Sequence, residues 1–220
     1  MTGEAATRPM RTAAVCVGTV PDLAGQSHAL DAVFNGHDAL ERALASGAGW
    51  IWLLADGAVA CGDALERLLA ACELAGEPPG SLLAGMVVGG SGRPLRSELP
   101  AGDGRCAEDL IRLAGKRALP IRYTTLANCV VARELFVQHG LPDVCRYGPY
   151  AAIEWSARVL RVERGYFIPA SVVTLEAPSR VGGAPLVTVA ALMRMLRSGI
   201  WTRGEAAANA ASLAVTLRSR

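Results

Sequence analysis

Lysine is almost missing from this chain: Lys116 is the only one among 22 basic residues, and the others are arginine. Arginine use on that scale is not by itself a phosphate-binding signal, and a formal net charge of +2 selects no charged partner. Aromatic residues amount to only 5% and are not interleaved with basic clusters, so no nucleic-acid partner is expected. No apolar run approaches the roughly 18 residues that span a bilayer. Ala13–Val20, broken by Pro21 and Asp22, is too short for a secretory leader. Cysteines 16, 61, 72, 106, 129 and 145 form no CxxC pair and no metal-ligand spacing. Cys16, Cys72 and Cys129 lie inside apolar periodic runs, which points to buried free thiols in a reducing, cytoplasmic setting.

What is present is a core. With 51% hydrophobic residues, 220 residues suffice for one α/β domain. Its centre is Gly49–Val59, GWIWLLADGAV. The apolar run Trp50–Leu54 has the length of a strand buried on both faces, and it stops at Ala55-Asp56-Gly57, a carboxylate at the strand's carboxyl end, where open α/β sheets bind ligands. Asp63 and Glu66 form a capping-box pattern ahead of a helix over 63–75, with Leu65, Leu68, Leu69 and Cys72 on one face.

Around this unit, residues 1–10 read as a disordered leader, and Thr12–Val17 as a strand running into Gly18-Thr19, a turn that either ends the strand or lies against a nucleotide. Ala24–Phe34 fits a helix or a short second strand, and Asp38–Ala45 a helix closed by Gly47 and Gly49. Leu82–Val88 reads as a buried strand after the turn Glu77–Gly80. Gly89–Asp103 reads as a long loop over the carboxyl edge, either a substrate loop or a solvated excursion. A short helix over Cys106–Ala114, a β-rich run Ile121–Val131, a helical turn Arg133–Gln138, an amphipathic helix Ala152–Arg164 and a strand Tyr166–Leu175 follow. The tail carries helices over Leu186–Leu196 and Ala206–Leu217.

Four of these segments, in this order, resemble the family 2 glycosyltransferases, sugar-nucleotide-dependent enzymes of GT-A fold. Trp50–Ala64 resembles the family's strand and aspartate motif, WILLLDDDVVP. Asn128–Pro142, NCVVARELFVQHGLP, resembles its strand, arginine and short helix; Ile153–Tyr166, IEWSARVLRVERGY, resembles its DDIEWSLRLRRAGY helix; and Ile168–Leu175, IPASVVTL, resembles the strand after it. The resemblance implies a single GT-A-like domain over 11–183, with a mixed, mostly parallel sheet flanked by helices, and C-terminal helices over 184–220 that pack on it or on a partner. It implies a nucleotide sugar as partner.

The family's chemistry rests on acidic groups that this chain has largely lost. The triplet whose outer aspartates hold Mg²⁺ or Mn²⁺ aligns with Ala55-Asp56-Gly57, the base aspartate with Ala151-Ala152, and the late histidine with Leu175 or Glu176. The implication is a transferase acting without the usual metal, any residual Mg²⁺ or Mn²⁺ site resting on Asp56 alone. Arg122, Arg133, Arg146 and Arg158 are then candidates to pair with the diphosphate. Asp56 and Thr19 are candidates to contact the donor, and Glu154 is a displaced base, or else a structural carboxylate paired with Arg158 one turn on. Between Thr19 and Trp50 about two of the family's strand-helix elements are missing, which equally suits a catalytically inactive binding or scaffold subunit. In the tail, Arg194, Arg197 and Arg203 flank Met193, Met195, Ile200 and Trp201. That mix suits an anionic membrane surface, a protein partner or second copy, or packing back on the domain.

Overall fold

In chain order the strands are β1 (Thr12–Cys16), β2 (Ala32–Asn35), β3 (Trp50–Leu54), β4 (Ala58–Ala60), β5 (Leu82–Gly89), β6 (Ala101–Gly102), β7 (Leu119–Tyr123), β8 (Asn128–Ala132) and β9 (Gly165–Leu175). The helices are α1 (Ala39–Ala45), α2 (Ala64–Leu74), α3 (Arg133–His139), α4 (Val144–Tyr147) and α5 (Ala151–Val159). This computed structural model describes residues 11–16, 23, 30–36, 38–74, 82–102, 118–176, 190, 193–201 and 204. The expected leader, the Gly18-Thr19 turn, the turn at 77–80, the helices Cys106–Ala114 and Ala206–Leu217, and most of Leu186–Leu196 lie outside the described residues.

The strands form one sheet in the order β2-β1-β3-β8-β5-β9-β7-β6, with β4 added on β9. β1, β2, β3, β5 and β9 run the same way, whereas β8, inserted between β3 and β5, runs against both. β3 is buried on both faces, and the period-2 alternation of a strand divides its side chains between two cores. Ile51 and Leu53 join Ala13, Leu82, Val131 and Phe167 under α1, α3 and α5. Trp52 and Leu54 join Leu65, Leu68, Leu83 and Val130 under α2. The result is helices on both faces of a mixed sheet.

Four expectations are refined. The ambiguous stretch Ala24–Phe34 yields strand at its end, where β2 pairs parallel with β1. Ile121–Val131 is two strands, β7 and β8, because Thr124 breaks the run: its N–H donates to Ser156 Oγ (3.0 Å), and its Oγ1 accepts from Leu126 N (3.4 Å). Leu126 there takes φ 64°, a region that side chains other than glycine rarely enter. The helix expected over Ala152–Arg164 stops at Val159. Asp63 accepts from Arg67 Nε (2.6 Å), while Arg67 Nη1 donates to the carbonyl of Ala170 on β9 (3.2 Å), so the carboxylate orients the guanidinium that ties α2 to the sheet.

The stretch Gly89–Asp103 is ordered as far as it is described. β5 turns at Gly90–Gly92 and comes back along its own edge, with Val88 bridging Pro94 and Leu95 N donating to Val87 O at 3.0 Å. Leu95 packs on the α2-side core, and Leu99 is buried in the other. Residues 193–201 fold back on the domain: Met195, Ile200 and Trp201 are buried against Tyr150 and Ala157, and Tyr150 meets Trp201 edge-on at 5.2 Å. Burial pushes the Tyr150 phenol up from its ordinary pKa.

Candidate functional site

The carboxyl ends of the parallel strands gather at one edge of the sheet, and β3 delivers Asp56 there. Ala55 N donates to Ala127 O at 2.9 Å, continuing the β3–β8 ladder one residue past Leu54. Ala58 N then returns to Ala55 O at 3.1 Å, closing a turn in which Gly57 takes φ 70° and Asp56 is exposed. Ala58 goes on to pair with Leu175 of β9, which pairs on its other side with Gly89 of β5. Asp56, Glu176 and the Gly89–Arg93 hairpin therefore leave adjacent strand ends.

A buried polar network holds this edge in shape. Asn128, at the start of β8, accepts from Trp52 Nε1 (3.0 Å) and donates through Nδ2 to Met86 O (3.3 Å) and to Ser171 Oγ (3.4 Å). These partners lie on β3, β5 and β9. Between Ile168 and Val172 the β5–β9 register slips, and Ser171 belongs to the extra segment. Gly85 must remain glycine beside this network, because a Cβ there would stand 2.1 Å from Asn128 Nδ2.

The residues singled out by sequence are dispersed. Arg133 follows β8, whose antiparallel course ends opposite Trp50, so it stands at the amino edge of the parallel strands, away from Asp56. Its Nε donates to Leu44 O at 3.1 Å. Arg158 is held by Glu154 Oε1 (3.1 Å) and His139 O (2.6 Å), while Glu154 is buried in the first turn of α5. Arg146 is exposed on α4, its guanidinium 5.4 Å from the Tyr147 ring. Arg122 lies 5.4 Å over the Tyr123 ring on β7. Ala151 and Ala152 open α5 where the family's base would stand. Thr19 is outside the described residues. Asn128 is central to this edge and carries no signal in the sequence beyond its place at the head of an apolar run.

A divalent metal requires several oxygen ligands. Ala55 and Gly57 have no side-chain oxygen, Glu176 is one of the two positions that align with the late histidine and leaves a strand end next to Asp56, and among the described residues no group of three His, Cys, Asp or Glu side chains is placed to hold a metal. The donor set does not fit the two-aspartate site that the resemblance implies.

Neither a family model nor a curated protein matches the chain. Solved structures do. GalNAc-T7 with UDP, GalNAc and Mn²⁺ superposes with TM-score 0.51 at 12% identity, over 85% of this chain and 48% of that one. The mannosyltransferase PcManGT from Pyrobaculum calidifontis, in complex with GDP-Man and Mn²⁺, gives TM-score 0.51 at 12% identity, over 96% of this chain and 81% of that one. The fold is GT-A. The chain spans about half the length of GalNAc-T7, and at such identity the likeness concerns the fold. In this GT-A domain the strand ends around Asp56 form the carboxyl edge where the fold class binds ligands. Among the described residues no helix is long and apolar enough to cross a membrane.

Proposed function

We propose that this chain is a nucleotide-sugar-dependent glycosyltransferase related to family 2, working without a DxD-bound metal. The observation that carries the reading is the exposed Asp56 at the carboxyl end of the central strand of a GT-A sheet. In the reaction an acceptor oxygen attacks the anomeric carbon, the bond from that carbon to the diphosphate oxygen breaks, and the nucleoside diphosphate departs with the electron pair. The acceptor's proton passes to a carboxylate. Asp56 contacts the donor, and Glu154, two residues after Ala152, is the carboxylate nearest in sequence to the vacant base position.

A second reading, a nucleotide-sugar-binding subunit without turnover, is favoured by one feature: Arg158 already occupies Glu154 at 3.1 Å. The test is release of UDP or GDP from a panel of UDP- and GDP-sugars with candidate acceptors, in EDTA and in Mn²⁺. Acceptor-dependent release supports the transferase. Binding of the nucleotide sugar without release supports the subunit, and absence of binding removes both.

A further inference from the structure

A GT-A site without the paired aspartates of a metal motif still has to face a diphosphate, and the hairpin that prolongs β5 carries a cation, Arg93, at the same edge as Asp56. Gly89 N donates to Arg93 O at 2.8 Å and Gly92 N to Gly89 O at 2.8 Å, a closed turn with Gly92 at φ 74°. The Val88–Pro94 bridge and the packing of Leu95 on the core anchor its base. The Arg93 side chain thus springs from a backbone held as firmly as the strand itself.

The surroundings suit a phosphate. Arg93 is exposed, and its guanidinium makes no ion pair with a described residue, unlike Arg158, which is taken by Glu154. A Cβ placed on Gly90 or on Gly92 would meet nothing within 4 Å, so the space over the turn is open. Arg93, Gly89, Leu175 and Ala58 stand on four successive chain segments across the carboxyl tip. At about 4.8 Å per strand, the backbones of Arg93 and Ala58 are at most roughly 14 Å apart. Asp56 precedes Ala58 by two residues, so the backbones that carry the carboxylate and the guanidinium stand on opposite sides of the Gly89–Leu175 pair.

We propose that the Gly89–Arg93 hairpin is the diphosphate-binding element of this site, with the Arg93 guanidinium supplying the positive charge that a metal supplies in the Mn²⁺-containing neighbours. This rests on the nucleotide-sugar reading above. A guanidinium meets phosphate oxygens through two parallel N–H donors, a geometry that a lysine ammonium does not reproduce.

The test is calorimetry on the full chain in EDTA, with UDP, GDP and the corresponding nucleosides as probes. Arg93→Ala is expected to weaken UDP or GDP binding about tenfold or more while leaving nucleoside binding unchanged. Arg93→Lys should recover only part of the loss, and Arg42→Ala, an equal change of charge on α1, should have no effect. Wild-type binding in EDTA that Arg93→Ala leaves unchanged overturns the hairpin's role while the nucleotide-sugar reading stands; in a parallel titration, binding that appears only with Mn²⁺ overturns the hairpin's role and the metal-free part of that reading. A wild type that binds neither diphosphate overturns both.

Discussion

Trp52 Nε1 donates to Asn128 Oδ1 across 3.0 Å in the fully buried centre of the sheet, where β3 meets β8. The same amide, through Nδ2, reaches Met86 O and Ser171 Oγ, so one side chain fastens four strands at the level where the carboxyl edge begins. Asn128→Ala would leave an indole N–H buried without a partner and open a cavity beside it. A loss of about 3 kcal/mol in chemical unfolding is expected.

Gly85 belongs to the same network. Gly85→Ala drives a methyl into Asn128 Nδ2 and Ser171 Oγ and should cost about 2 kcal/mol. In the Asn128→Ala background only the contact with Ser171 Oγ at 2.8 Å remains, and the added cost should fall by about half. A double-mutant cycle in urea reads the coupling; strict additivity would contradict the contact.

Cys129 supplies a pH dependence. Burial pushes its thiol up to about 12 from an ordinary value of 9.0. The folded state therefore keeps the proton that the unfolded state releases above 9.0. Its contribution is fully present below that pH and is lost as pH rises from there toward 12, with a limiting slope of about 1.4 kcal/mol per unit. The stability difference between wild type and Cys129→Ala should shrink accordingly between pH 8 and pH 10 in urea titrations. A difference independent of pH would mean that the thiol is not buried in solution.

The tail makes a prediction of its own. Trp201 is buried edge-on against Tyr150 in a cluster completed by Met195 and Ile200. Trp201→Ala should cost about 3 kcal/mol in the isolated chain. An unchanged midpoint would mean that residues 193–201 serve a partner surface instead.

The legible parts of the fold were those where the pattern is local. Trp50–Leu54 reads as a central strand because five apolar residues end at a turn, and β2 emerges at the end of Ala24–Phe34, where helix and strand signals overlapped. The break between β7 and β8 was hidden, since Leu126 and Ala127 continue the apolar run, and only the contact of Thr124 with Ser156 on α5, 32 residues later, interrupts it. Site residues were harder still. Arg133 reads in sequence as a phosphate candidate, whereas its place at the amino edge follows from the direction of β8, a property of the assembled sheet. Arg158 and Glu154 were legible as a pair, their spacing of one helical turn bringing them to 3.1 Å.

Glu154 decides between turnover and binding alone. Should it act only as the partner of Arg158, Glu154→Gln will change nucleotide release less than about tenfold, since the amide still accepts from Nε. A base removed from the reaction costs about a hundredfold or more. Rates with saturating donor and acceptor separate the two outcomes.

Hydrogen exchange of the full chain with and without saturating UDP or GDP tests the central claim most directly. Slowed exchange confined to the turn after β3, residues 55–58, and to the hairpin at 89–95 is the result this account predicts. Protection that appears only at the amino edge around Arg133, or on the outer faces of the helices, would contradict it.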